Sequence, residues 1–422
     1  MRSKQPPKID LDPEVIAGAQ ADGVNLKSLM MSPVFTFRLV LLIGLVLVAF
    51  GLLEVSSASS VIAAFEPAGD PFSYFKRQAG FAGIGLLGAA FLIWLPEIWL
   101  KRLAFPAILL AMILIGLTIG FGAASRGNNN WLPLPGGIQF QPSEFAKLAL
   151  VLLAAYFISR AKRPTADLGV WIRYIVYFAI VSAGIALQGD IGTVLVLGGM
   201  LLVLMIGAGA PGRLTAALGG VAALGVGAIL FLGSRKSSQD SRLDRIYAWL
   251  HPEYDQMGRN LQQSRSLQAL ASGGLTGEGI GGSHLKWGLL ADGHTDFIFS
   301  IIGEEVGFVG VVVLLALFAA LIYAGLRLAV RSASAFSRVL SMGVVAWIGV
   351  QTLLNIAVCL RWLPGFGVTL PLISYGGSSL IATMWALGLL AGCAYREGRV
   401  ERLSLTTSKP KRRIRSIVGV KS

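Results

Sequence analysis

The stretch TFRLVLLIGLVLVAFGLLEVS, Thr36 to Ser56, decides the class of this protein. It runs for the length of a bilayer-crossing helix, about 20 mostly apolar residues, and carries only Arg38 and Glu54 as charges. The same template recurs along the chain at 78–96, 103–122, 144–159, 171–188, 191–209, 213–232, 297–325, 338–360 and 374–394, which makes ten candidate spans. The fourth is short, and only QGD separates the fifth from the sixth. The composition agrees. Of 422 residues, 55% are hydrophobic and 14% charged, where a soluble domain carries about 25% charged residues. The expected fold class is therefore an all-α polytopic membrane protein with ten transmembrane helices.

Ten spans put both termini on one side. With both inside, the N-terminal tail and the first helix start carry 5 Lys/Arg, the inner loops 2, 4, 1 and 3, and the C-terminal tail 9, so 24 of 36 lie inside. That bias predicts cytoplasmic termini. The expected divisions are an N-terminal tail 1–35, a membrane domain 36–396 and a basic C-terminal tail 397–422. Within the tail, KPKRRIRS reads as a stop-transfer anchor or a contact for anionic lipid. The large extracellular loop, 233–296, falls between helices 7 and 8. The net charge of +14 does not indicate nucleic acid, because the basic residues collect at span ends and in the tails. The first 35 residues lack the apolar core of a cleavable signal, so the first span is expected to direct insertion. Cys359 and Cys393 lie in apolar segments, which argues against a disulfide framework.

Twelve cations remain on the outer side, among them Lys76, Arg77, Arg126, Arg259 and Arg265, with Lys147 just inside the fourth span. An anionic ligand handled at the outer face accounts for them. Four stretches carry candidate chemistry. In FQPSEFAKLAL, Pro142 starts a helix, Ser143 is a plausible N-cap, and Glu144 and Lys147 share a face at i,i+3. They read equally as a local ion pair or as the wall of a polar cavity. In ALQGDIGTVL, Gln188 and Asp190 read as a turn or as cavity residues. In GHTDFIFSIIGEEVGFVG, Thr295 or Asp296 is placed to cap a helix, and Glu304 and Glu305 require hydrogen-bond partners across the bundle. In LPLISYGGSSLIATM, the residues Gly376 to Ser379 pack a helix closely or present N–H and hydroxyl groups, Ser378 among them, to an anion. The histidines His251, His284 and His294 have no zinc-site spacing.

These motifs, in this order, resemble the SEDS family of shape, elongation, division and sporulation proteins, whose members include FtsW, RodA and SpoVE. The matching text is KRQ (76–78), NWLPLPGGIQFQPSEFAKLAL (130–150), GDIGT (189–193), SLQALASGGLTGEGIGGS (266–283), HTDFIFSIIGEE (294–305) and LPLISYGGSSL (370–380). The form GVTLPLISYGGSSL at 367–380 leans toward FtsW and SpoVE. The resemblance implies ten spans with cytoplasmic termini in the bacterial cytoplasmic membrane. It implies a peptidoglycan glycosyltransferase that polymerises lipid II at the outer face. It also implies a class B penicillin-binding protein as partner, alongside other divisome or elongasome membrane proteins. The family's essential aspartate in the large loop falls on Asp255, with Gly258, Gln262, Ser266 and SGGL at 272–275 in register. Glu144, Lys147 and Asp190 match residues lining the family's cavity, and Trp131 a tryptophan in the preceding outer loop. This chain departs from the pattern at Gln256, Arg265, Gly189 and Ala291–Asp292.

Within that reading Asp255 is the general base, and Arg77, Arg126, Lys147 and Arg259 hold pyrophosphate, with Lys76 an alternative to Arg77. Glu144 and Asp190 either orient Lys147 or supply oxygen ligands of the kind Mg²⁺ or Mn²⁺ takes, although no sequence feature requires a metal. The competing readings are a flippase or transporter for a lipid-linked precursor and a non-catalytic scaffold.

Overall fold

The computed structural model describes residues 32–66, 69–125, 128–134, 138–233, 241–251, 259–290 and 293–407. Asp255 and Arg126, together with Gly258, Gln256 and Ala291–Asp292, lie outside the described residues. Helices occur at every one of the ten expected segments: α1 Pro33–Phe65, α2 Ser73–Trp94, α3 Glu97–Phe121, α4 Pro142–Ile158, α5 Leu168–Leu187, α6 Ile191–Gly207, α7 Gly212–Gly233, α10 Ile298–Arg331, α11 Ala335–Cys359 and α12 Gly377–Thr407. Seven of these (α1, α2, α3, α5, α10, α11 and α12) are long and apolar enough to cross a membrane, and α6 and the first part of α7 are shorter apolar helices. The chain is a multi-pass membrane protein. Two further helices, α8 Ser241–Leu250 and α9 Arg259–Ser272, lie in the expected large loop.

Which helices face lipid and which face protein follows from composition around each helix. In α4, 14 of 17 residues are buried, including Glu144 and Lys147. It packs against α3 and α11, and α11 packs in turn on α6 and α10. By contrast α2, α3 and α5 expose apolar side chains such as Leu87, Phe91, Leu109 and Ile180, the surface a hydrocarbon environment accepts. α12 fills the groove between α1 and α2. A Cβ on Gly377 would stand 2.7 Å from the Phe81 ring, so glycine there permits the close approach.

The all-α expectation needs one correction. The segment after α3 forms a small antiparallel sheet in the order β1 Ala123–Ser125, β2 Asn128–Leu134, β3 Ile138–Phe140. Leu132 pairs with Phe140 and Leu134 with Ile138. A connection of this length folded back on itself satisfies its backbone groups by pairing. Two expected caps also differ. Gln141 occupies the N-cap of α4, because Pro142 takes the first helical position, where its missing N–H costs nothing; Ser143 therefore falls inside the helix. α10 begins at Ile298 with Phe297 at the N-cap, so neither Thr295 nor Asp296 caps it. The first helix extends to Phe65, beyond the expected 56, so Ser57 lies within α1 rather than outside.

The most consequential departure is a break in α10 at Gly307, with φ 66° and ψ −171°. This backbone conformation is essentially confined to glycine. The segment after α9 docks into the break. The N–H groups of Glu278 and Gly279 donate to the carbonyls of Glu304 and Glu305, each at 2.9 Å, and those of Phe308 and Val309 donate to Gly274 and Leu275 at 2.9 and 3.1 Å. Irregular backbone inside a membrane bundle is tolerated where protein partners satisfy it in this way. A Cβ at Gly307 would overlap the Gly277 amide and the Leu275 carbonyl. Gly307→Ala is therefore expected to destabilise by at least about 1–3 kcal/mol, the range for a strained backbone residue. The check is the thermal melting midpoint of the purified protein, and an unchanged midpoint contradicts it.

Candidate active site

Four of the residues singled out from sequence, Glu144, Lys147, Asp190 and Ser378, lie along one continuous polar seam. Its inner end is on α4. Lys147 Nζ donates to Glu144 Oε1 and to Gln351 Oε1, each at 2.8 Å. Lys147 is 1% exposed, and its ammonium lies 5.1 Å from the Trp347 ring centroid. Trp347 Nε1 also donates to Gln351 Oε1 at 2.7 Å. Gln351 Nε2 passes the chain on to Thr369, donating to its carbonyl at 3.0 Å and its hydroxyl at 3.2 Å. The Thr369 and Ser379 hydroxyls are 3.0 Å apart. Next to Ser379, Ser378 Oγ accepts the Gln141 N–H at 2.9 Å. The Gln141 side chain donates to Asp190 Oδ2 at 3.2 Å.

Asp190 ends the seam. It is the N-cap of α6 and accepts from Thr193 N at 2.9 Å, Thr193 Oγ1 at 2.8 Å and Asn130 Nδ2 at 3.1 Å. Asp190 therefore holds the turn, and its carboxylate is buried among the donors of the seam. Gly189, with φ 86°, makes the turn that lets α5 end and α6 begin within three residues. Gln188 closes that turn by donating to the Ile115 carbonyl at 3.0 Å and to the Thr118 hydroxyl.

The seam keeps spare hydrogen-bonding capacity. Glu144 Oε2, Ser143 Oγ and Asn130 Oδ1 are buried without partners among the described residues. Groups of that kind are costly unless a water, an ion or a ligand satisfies them. The seam fits a divalent ion less well. One Glu144 oxygen is held by Lys147, four donors already surround the Asp190 carboxylate, and the described residues contain no group of three or more His, Cys, Asp or Glu placed to hold a metal.

The other expected residues fall elsewhere. Arg77, exposed in the first turns of α2, lies beside Tyr375, within a cluster of Tyr74, His294 and Tyr375 whose ring centroids are 5.0–5.6 Å apart. Lys76 turns the other way, to Asp70 at 2.8 Å, and holds that exposed carboxyl below its ordinary range. The rotation of α2 therefore leaves Arg77, not Lys76, beside the Tyr74, His294 and Tyr375 cluster. Trp131 is half-buried on β2, next to Asn130. Arg259 opens α9, and the half-buried Gln262 lies one turn on. Arg265 makes a surface contact with Gln268 at 3.1 Å.

Sequence reading missed Asn130, Gln141, Thr193, Trp347, Gln351 and Thr369. The signal for Gln351 was present, as an amide within the apolar run 338–360. The expected partners of Glu304 and Glu305 do exist. Glu304 accepts from Ser283 Oγ at 2.5 Å and His284 N at 3.0 Å, and Glu305 from Ser57 Oγ at 2.6 and 2.9 Å.

Residues 37–398 match the model of the family described as cell cycle protein, which covers FtsW, RodA and SpoVE. The chain is 35% identical over 364 residues to the probable peptidoglycan glycosyltransferase FtsW of Geobacter metallireducens, covering 85% of this chain and 94% of that one. It is 35% identical over 360 residues to stage V sporulation protein E of Bacillus subtilis, covering 83% and 95%. Among solved structures, a chain from a peptidoglycan synthase complex that coordinates polymerization and crosslinking superposes with TM-score 0.69 at 30% identity, covering 85% of this chain and 97% of that one. Thermus thermophilus rod shape determining protein RodA superposes at 0.61 and 30% identity, with coverages of 85% and 96%.

Proposed function

Because the chain belongs to the FtsW/RodA/SpoVE family of cell cycle proteins, we infer that it is a peptidoglycan glycosyltransferase of cell division and propose how its residues carry out the transfer. The observation that carries this reading is the family match over 37–398, which takes in all six stretches that carry the family resemblance. In the proposed topology all ten long helices span the bacterial cytoplasmic membrane. The shorter α4 and α6 are shielded by their neighbours, α7 turns exposed apolar side chains such as Val221 and Leu224 to the lipid, both termini are cytoplasmic, and 233–296 is outside. The substrate is lipid II. A class B penicillin-binding protein crosslinks the product, in line with the solved synthase complex that this chain resembles.

The chemistry needs a base and positive charge. The 4-hydroxyl of the incoming lipid II's N-acetylglucosamine attacks C1 of the N-acetylmuramic acid at the end of the growing strand. A C–O bond forms there with inversion, and the bond from C1 to the pyrophosphate breaks. Asp255 takes the hydroxyl proton, and undecaprenyl pyrophosphate leaves with the electron pair. Arg77, Arg126 and Arg259 sit on the proposed outer face, where they offset charge on the departing pyrophosphate. Lys147, held by Glu144 and Gln351, supplies a fixed cation at the inner end of the seam, with Asp190, Ser378, Trp131 and Gln262 placed around the substrate's polar part.

The test gives labelled lipid II to the purified protein, with and without its penicillin-binding partner, and resolves glycan products on a gel. Polymer is the expected product. No polymer even with the partner, combined with passage of labelled lipid across vesicles, overturns the enzyme in favour of a transporter.

A further inference from the structure

α1 carries one acid, Glu54, about two-thirds of the way along its 33 residues. Its side chain is fully buried, at 0% exposure, and neither carboxylate oxygen has a hydrogen-bond partner. One turn on, at i+3 and so on the same face, Ser57 Oγ spans both oxygens of Glu305 at 2.6 and 2.9 Å. Glu305 also acts electrostatically on Glu54. The Ser57 bond thus brings the Glu305 carboxylate to the α1–α10 contact on the face of α1 that carries Glu54, two residues before the break at Gly307.

Among the described residues no ion pair joins either carboxyl group to a cation, and the further donor to Glu305 is Ser283 N at 3.4 Å. Glu304, also on α10, turns to Ser283 and His284 N. α2 and α12, the other helices packed on α1, carry no titratable residue over 78–94 or 377–392. The segment 370–376, which touches α1 at Gly51, brings only Tyr375, occupied with Tyr74 and His294. The segment 273–290 carries Glu278, His284 and Lys286, and Lys286 donates to the Gly281 carbonyl. An ionised Glu54 would be a buried charge with no donor, and with Glu305 ionised beside it the cost rises further.

We propose that Glu54, Ser57 and Glu305 form a buried site for one small cation, a proton or an alkali ion, which neutralises the carboxyl pair and fastens α1 to the broken helix α10. The chemistry is that of oxygen donors beside an unwound helix, the arrangement by which membrane proteins hold Na⁺ or H⁺. The break held in this way is the one that receives residues 274–279, which lead back through α9 toward 255. The cation therefore supports the base of the large loop.

The experiment follows the melting midpoint of the full-length protein in lipid nanodiscs, for wild type, Glu54→Gln and Glu54→Leu. One arm compares roughly pH 6 with pH 8, above the ordinary carboxylate range, in choline chloride. The other replaces choline by sodium or potassium at the higher pH and equal ionic strength. A site that binds a cation in the folded state and not in the unfolded state is stabilised by that cation. For a proton, stability then falls as pH rises. Wild type is expected to gain roughly 2–4 °C in the acid arm, which identifies a proton, or in the alkali arm, which identifies the ion; both glutamate variants lose the response. A wild type that responds in neither arm overturns the proposal, as does a response that persists in the variants. Glycan polymerisation by wild type is measured separately, so failure of the cation site is distinguishable from failure of the catalytic reading.

Discussion

Asp255→Ala is expected to reduce glycan polymerisation from lipid II by about 100- to 10,000-fold, the range a positioned general base contributes. Without a base the attacking 4-hydroxyl retains its proton, and the oxygen cannot complete a bond to C1 while neutral. Asp255→Asn keeps the side chain's size and removes its basicity, so it is expected to fall as far. Asp255→Glu, which keeps the carboxylate and moves it, is expected to retain part of the activity. The measurement is labelled glycan on a gel, with the partner protein present and with melting midpoints recorded for each variant. Normal polymerisation by Asp255→Ala removes Asp255 from the catalytic role.

Lys147→Ala is expected to have the largest effect on stability, about 3–5 kcal/mol, the usual cost of removing one partner from a buried ion pair. Lys147 is 1% exposed and Glu144 4%, so the remaining carboxylate is left in the bundle without its cation. Gln351 Oε1 also loses a donor, and Trp347 its ammonium. The double variant Lys147→Met with Glu144→Gln leaves no uncompensated charge and is expected to recover most of the melting midpoint. Polymerisation separates the two roles of the pair. If the pair acts on the substrate, the double variant is stable and inactive. Activity that returns together with stability makes the pair purely structural and contradicts its place in the site.

Much of this was legible in one dimension because a membrane imposes a one-dimensional rule. Each span requires a run of apolar residues, so helices fell on the segments hydropathy marked, seven of them long and apolar enough to cross a membrane, with ends displaced where local chemistry intervened. Pro142 displaced Ser143 from the cap, and Ser32, accepting from Phe35 N at 3.1 Å, began α1 earlier than the apolar run suggested. Acids and amides inside apolar runs were likewise visible as groups that must find partners. The sheet at 123–140 was not legible, because its pairing depends on how the connection folds back rather than on any periodic pattern.

The class, the positions of the helices, the family motifs and the polar groups in apolar runs that need partners are all readable in the order of residues. Only the tertiary structure decided which partners they have. It joined Lys147 to Gln351, 204 residues away, and Ser57 to Glu305, 248 away. It also turned Arg77 toward Tyr375 while sending Lys76 to Asp70. The reason is physical. Transfer into a bilayer depends on the average polarity of a segment, which a window along the chain measures. A hydrogen bond depends on the rotation of a helix about its axis and on the neighbour it meets there, and those are set by packing against residues far away in sequence.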